Sequence, residues 1–220
     1  LKREVIHTSD GSTTIFLPEL GETYHSKFGA IQEARHVFIK NGLSLFERKP
    51  LAILEIGFGT GLNAFITFLE SLANGQIIDY VGVEAYPVEA AEVRSMNYAS
   101  ELDAGSNAPV FEAMHEARWG IPISLSDTFT LTKRQQFFHD IEDVGKFDLI
   151  YFDAFGYQIQ PELWSTEIFS IMFRALKQNG ILTTYAARSP IKKSMLEASF
   201  RVEKLAGPPG KREMFRAIKE

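Results

Sequence analysis

The chain has 220 residues, 45% hydrophobic and 23% charged, with a formal net charge of −5. That length suffices for one well-packed domain, and the net charge argues weakly against bulk nucleic-acid binding. With no Cys, disulfides, thiolate metal sites and thiol catalysis are excluded, and no apolar run reaches the roughly 18 residues that a membrane-spanning helix needs.

The first residues, Leu-Lys-Arg-Glu, lack the apolar stretch of a secretory signal. Together with the missing Cys this predicts a cytoplasmic protein. Residues 4–17 read as two extended runs around Ser9-Asp10-Gly11, a turn signal that predicts a small hairpin. Tyr24-His25-Ser26 follows, and 30–46 carries apolar residues at a helical period. Residues 1–48 are therefore expected to be an N-terminal extension, hairpin plus helix, packed on a domain formed by 49–220.

From residue 51 the pattern alternates. The apolar run 51–56 predicts a buried parallel strand. A Gly-rich turn and a helix over 62–72 come next, then a strand over 80–83 that ends at Glu84. Pro87 suits the first turn of a helix running to about residue 102. Residues 103–127 read as irregular, and 129–133 as a third strand. The clearest later strand is 147–152, ending at Asp153. A helix within 161–176, a strand over 181–185 and a helix over 190–200 follow. Two closing strands, 201–205 and 214–219, flank the Pro208-Pro209-Gly210 turn. Such alternation predicts a doubly wound α/β fold: a mostly parallel, seven-stranded Rossmann-like sheet with an antiparallel edge.

Charge is unevenly spread. From residue 174 to the end there are eleven Lys/Arg against four Glu and no Asp, so the rest of the chain carries −12. This marks the C-terminal quarter as a candidate basic binding face, or as a set of solvated helix and strand faces.

Glu55-Ile56-Gly57-Phe58-Gly59-Thr60-Gly61-Leu62-Asn63 is the strongest local signal. It leaves a strand and opens a helix, and glycines there let the chain turn sharply and let a ligand approach the backbone. A dinucleotide fingerprint wants G-x-G-x-x-G, but here Leu62 stands where the third glycine belongs. The Glu55 carboxylate repels a pyrophosphate and suits the cationic amino acid end of S-adenosylmethionine. The expected cofactor-binding residues are thus Glu55, Gly57, Phe58, Gly59, Thr60, Gly61 and Asn63, with Glu84 and Ala85 at the second strand end, where a carboxylate accepts from ribose hydroxyls. Asp153, at another strand tip, can orient or deprotonate an amine and is the candidate catalytic residue. Asp148, at the opposite end of that strand, reads as structural. The five histidines lack metal-ligand spacing, so no metal is expected. Trp119 and Trp164 read as packing residues.

The ordered segments Gly57–Asn63, Phe152-Asp153-Ala154-Phe155, Pro161-Glu162-Leu163-Trp164 and Gly210-Lys211-Arg212-Glu213-Met214 resemble the methyltransferase module of the tRNA 5-methylaminomethyl-2-thiouridine biosynthesis bifunctional family. The resemblance runs over nearly the whole chain. It implies S-adenosylmethionine as cofactor and tRNA as partner, with the 5-aminomethyl group of the wobble uridine as acceptor beside Asp153. It also implies a stand-alone form without the FAD oxidase domain. Tyr24 and Tyr185 are expected to line the pocket, and Arg188, Lys192, Lys193, Lys211 and Arg212 to meet phosphates of the anticodon stem-loop. Two features depart from the family pattern: no Gly-Asp stands near 135–140, where relatives place an Asp against adenine, and no Gly stands near Arg188-Ser189. Three other readings remain open: a methyltransferase of another small amine or RNA base, a nicotinamide-dependent oxidoreductase, disfavoured by Leu62, and a non-catalytic RNA-binding relative.

Overall fold

A computed structural model describes residues 2–46 and 49–220. The expected boundary at 48–49 falls beside residues outside that description. The N-terminal hairpin forms as the Asp-Gly turn predicts: β1 (Glu4–His7) pairs antiparallel with β2 (Thr13–Leu17). A short β3 (Glu22–Thr23), not foreseen, adds a third strand. Asp10 organises the turn, accepting from Ser12 N and from the Thr8 and Ser12 hydroxyls. The helix over 30–46 is less regular than its apolar spacing suggests. It begins as α1 (Ala30–Ala34), widens to a π-helical stretch over Arg35–Lys40 and ends in a 3-10 turn at Leu43–Leu45.

The core is one eight-stranded sheet. Its strands are β4 (Leu51–Ile56), β5 (Ile78–Glu84), β6 (Ile123–Ser126), β7 (Phe129–Gln135), β8 (Phe147–Phe152), β9 (Leu176–Thr184), β10 (Arg201–Ala206) and β11 (Glu213–Ile218). They lie in the order β10-β11-β9-β8-β4-β5-β7-β6. The five central strands are parallel, and β10–β11 is the expected antiparallel hairpin, with β11 antiparallel to β9. The eighth strand, β6, pairs antiparallel with β7. Its Ile-Ser-Leu-Ser alternates like a half-buried strand but is only four residues long, and it lies in the stretch expected to be irregular. That stretch also holds α5 (Ala108–Glu116). The helix expected over 87–102 is broken into α3 (Ala90–Arg94) and α4 (Tyr98–Glu101).

Helices cover both faces of the sheet. On one face α2 (Leu62–Asn74), α5 and the α1 segment bury Phe38, Phe65, Phe68 and Phe111 against Tyr80, Phe129 and Tyr151. On the other, α6 (Thr166–Ala175) and α7 (Ser189–Glu197) pack Phe169, Met172 and Met195 on Phe152 and Leu182. Trp164 is fully buried there and donates its indole N–H to the Phe155 carbonyl at 2.8 Å, which pins the loop after β8. Asp148 is structural, as expected: its carboxylate accepts from Ala52 N at 2.9 Å and from Lys177 Nζ at 2.7 Å. Ligand crevices of open parallel sheets lie at the carboxyl ends of the strands. Here the ends of β4, β5 and β8 are adjacent, so the Gly turn, Glu84 and Asp153 emerge side by side. Among the described residues no helix is long and apolar enough to cross a membrane.

Candidate active site

A cavity of about 860 Å³ opens over these strand ends. Gly57, Phe58, Gly59, Asn63, Glu84, Ala85 and Asp153 all face it. The turn after β4 is tied to both neighbours: Gly57 N and Phe58 N donate to the Val83 carbonyl at 3.0 Å each, and Asp153 N donates to the Ile56 carbonyl at 2.9 Å. Gly57 has φ +88°, and a Cβ there would stand 2.6 Å from the Asp153 carbonyl oxygen. Glycine thus permits both the left-handed backbone and the close approach of the two loops. At Gly59, φ +49°, a Cβ would press the Tyr24 ring at 3.2 Å.

Three of the expected residues stand elsewhere. Glu55 is completely buried beneath the turn, accepting from Tyr80 Oη at 2.8 Å and from Asn63 Nδ2 at 2.9 Å. Burial pushes its carboxyl well above the ordinary carboxylate range. The Thr60 side chain also points inward, accepting from Tyr98 Oη at 2.9 Å. The open side of Gly61 faces His115 rather than the cavity. Glu84 does reach the cavity, and its two oxygens accept from Gly59 N at 3.0 Å and Tyr86 N at 2.9 Å.

Asn63 connects the two acids. Its Nδ2 donates to Glu55 Oε1 and also to Asp153 Oδ2, each at 2.9 Å. Its Oδ1 is buried and has no hydrogen-bond partner. Asn63 itself lines the cavity, and an orphaned acceptor next to it suits an N–H donor. Burial is the main cause that raises the Asp153 carboxyl to about 7, and the nearby Glu33 adds to it; the Asn63 hydrogen bond and the Lys211 charge pull the other way.

The remaining walls are aromatic and acidic. Tyr24 meets Phe155 edge-on with centroids 5.1 Å apart, and both line the cavity. Tyr185 lines it too and donates to the Ala154 carbonyl at 2.8 Å. In the stretch that lacks the expected Gly-Asp, Phe137, Phe138 and His139 face the cavity, with Phe137 and His139 stacked at 5.3 Å. Arg3 from the N-terminal segment donates to the Tyr86 and Pro87 carbonyls and pairs with Glu92 at 3.0 Å, closing one side. Sequence reasoning did not single out Arg3 or the Phe137 cluster, and it met Phe155 only as part of a motif; proximity in space gives them, and Glu33, a place at the site.

The basic residues divide. Arg188, Lys192, Lys193 and Arg212 are exposed, the first three at the start of α7. Lys211 instead turns inward, pairing with the buried Glu33 and lying over the Tyr185 ring.

A family model described as S-adenosyl-L-methionine-dependent methyltransferase matches residues 125–220. The match covers the C-terminal part of the chain, from the β6–β7 hairpin to the end. The chain is 29% identical, over 93% of its length, to the tRNA 5-methylaminomethyl-2-thiouridine biosynthesis bifunctional protein MnmC of Paracidovorax citrulli, covering 34% of that protein. The bifunctional protein of the same name from Campylobacter fetus is also 29% identical, over 90% of this chain and 34% of its own length. The chain spans about a third of the length of the curated relatives it matches. The crystal structure of MNMC2 from Aquifex aeolicus superimposes with a TM-score of 0.73 at 22% identity, covering 98% of this chain and 70% of that one. Spermidine synthase in complex with the transition state analogue AdoDATO shares the fold, with a TM-score of 0.54 at 15% identity, over 98% of this chain and 72% of its own. The likeness read from the motifs therefore extends along the chain, and the α/β methyltransferase-type fold is the one expected.

Proposed function

We propose that this chain is an S-adenosylmethionine-dependent methyltransferase that moves a methyl group to the amine of 5-aminomethyl-(2-thio)uridine at the wobble position of tRNA. One observation carries the reading: the glycine turn, Glu84 and the Asn63–Asp153 pair face a single cavity. The curated relatives, named for that tRNA modification, support the acceptor. The residues fit the cofactor, since the turn leaves backbone uncovered where a Cβ would intrude and the Asn63 Oδ1 acceptor lacks a partner. Bound S-adenosylmethionine supplies a methyl carbon activated by the adjoining sulfonium.

Gly57, Gly59 and Asn63 would hold the amino acid end of the cofactor, and Glu84 its ribose hydroxyls. Glu55 supports the turn from below. Tyr86 and Phe137 offer faces for the adenine in place of the family's Asp. Asp153 would hold the acceptor amine and take its proton, because an ammonium has no lone pair with which to attack. Tyr24 and Tyr185 flank that amine. Orientation supplies the rest, as it converts an encounter of two molecules into a local step. Arg188, Lys192, Lys193 and Arg212 would meet the RNA backbone. The N-terminal segment, through Arg3, Leu17, Tyr24 and His25, would serve as an extension that walls the cofactor cavity of the following domain, in a cytoplasmic enzyme.

The test is incubation of the protein with labelled S-adenosylmethionine and tRNA from a strain lacking this modification, followed by nucleoside analysis. Label in 5-methylaminomethyl-(2-thio)uridine is the expected result; label in no nucleoside rejects the tRNA reading. A second reading, methylation of a small cationic amine, draws on Glu89, Glu92 and Glu162, which line the same cavity. A polyamine acceptor in a parallel reaction separates the two.

A further inference from the structure

A carboxylate that takes a proton from an amine must meet it as an anion, and Asp153 sits where that is unfavourable. Its carboxyl is desolvated, and Glu33 on α1 brings a second negative charge close by. The opposing charge arrives from the far end of the chain. The turn between β10 and β11 carries Lys211 onto Glu33 as an ion pair, and the Glu33 side chain is only 8% exposed. Ser26 N secures the other oxygen of Glu33 at 3.0 Å. The Lys211 ammonium lies 3.8 Å from the centroid of the Tyr185 ring, and Tyr185 Oη holds the carbonyl of Ala154, the residue after Asp153.

The other titratable groups facing this corner do not supply a cation. Glu55 on β4 and Tyr80 on β5 are both held far above their ordinary values by burial, as is Tyr185 after β9, and none of the three can carry a positive charge. His25, before α1, is pushed down to about 4 by burial and is uncharged at neutral pH. Glu22 adds negative charge near Tyr185. Lys211 is thus the cation that acts on Asp153.

We propose that Lys211, seated by Glu33 and Tyr185, is a positioning residue that sets the charge around Asp153 and holds its loop in place for the acceptor amine. The inference rests on the amine-methylation reading. The step it serves is a proton transfer: one proton leaves the substrate ammonium for the Asp153 carboxylate, giving neutral amine and neutral acid, and passes to water as product departs.

The experiment is a carbon-13 NMR titration of the Asp153 carboxyl in ligand-free protein, its signal assigned by loss in Asp153→Asn, run beside the pH profile of methyl transfer. Lys211→Met should raise the proton affinity of Asp153 by about tenfold, one pH unit, and move the acid limb of the rate profile with it. Lys211→Arg should restore both. Glu33→Gln should move the midpoint the other way, and Glu33→Gln/Lys211→Met should bring it back below the Lys211→Met value, because Glu33 acts on Asp153 more strongly than Lys211 does. The paired variant also guards against misfolding, since it leaves no lone buried charge. An Asp153 midpoint unmoved by Lys211→Met, or by Glu33→Gln should the methionine variant not fold, overturns the inference. The titration needs neither cofactor nor acceptor. A wrong acceptor therefore abolishes the rate profile and leaves the midpoint shifts intact, whereas unmoved midpoints defeat the role of Lys211 alone.

Discussion

Glu55 and Asp153 stand at the carboxyl ends of adjacent parallel strands, and one amide, Asn63 Nδ2, donates to both. Their environments differ all the same. In the β4–β8 register Glu55 lies opposite Tyr151, so Asp153 is two residues further along on the same face. Two residues of strand are about 6–7 Å, enough to carry one carboxyl from beneath the glycine turn to the cavity wall. The lower acid, pushed well above its ordinary range by burial, ties Tyr80 to Asn63; the upper one, raised to about 7, faces the cavity. An acid at a strand end is therefore one sequence signal with two uses, and depth below the turn separates them.

The largest effect that separates the two is on turnover. Asp153→Ala should cut methyl transfer by about a hundredfold or more, while calorimetry shows S-adenosylhomocysteine still bound. Near-native turnover would falsify its assigned role. Glu55 should behave in the opposite way. Glu55→Ala strands two buried donors and should cost about 2–4 kcal/mol in urea unfolding. Glu55→Gln, which imitates the neutral acid, should cost about 1 kcal/mol or less; an equal loss from both substitutions would mean that Glu55 is buried as an anion.

A subtler difference lies in pH. The Asp153 carboxyl is raised from 3.8 to about 7 in the folded protein. For a group raised on folding, its contribution to stability is full below the unfolded value and lost as pH climbs through the folded one. Asp153→Asn should therefore be more stable than wild type at pH 8 by about 1–3 kcal/mol, with the advantage gone at pH 4. Thermal melts at the two pH values decide it, and a gain of the same size at both refutes the assignment. The smallest effect belongs to the exposed cations of α7. Lys192→Ala and Lys193→Ala should each weaken tRNA binding a few-fold and lower the salt slope by about one, with no change in cofactor affinity. Loss of cofactor affinity in either would place α7 in the wrong part of the reading.

Much of this site is legible in residue order because its parts are tips of parallel strands. Gly57, Glu84 and Asp153 each end an apolar run, and sheet architecture alone delivers such tips to one edge. Thr60 and Gly61 share the Gly57–Asn63 motif yet face Tyr98 and His115, since the chain reverses direction as it enters α2. The strand β6 escaped notice because four residues between turns carry too little periodicity. The break between α3 and α4 has a different origin: Asn97 leaves the helical pattern to hold Thr13 of the N-terminal hairpin, accepting from its backbone N at 2.8 Å.

Local pattern was enough for the α/β alternation, the glycine turn, the acidic strand ends and the likeness to a methyltransferase module, since each is a short run whose spacing follows from strand and helix geometry. Folding in three dimensions settled which acid is buried, how Asn63 links the pair, and where Lys211 points. Glu33 and Lys211 are 178 residues apart, and no periodicity reaches that far. They meet only because β11 returns beside β9 and lays its turn against α1, a contact set by strand order and side-chain packing rather than by any neighbouring residue.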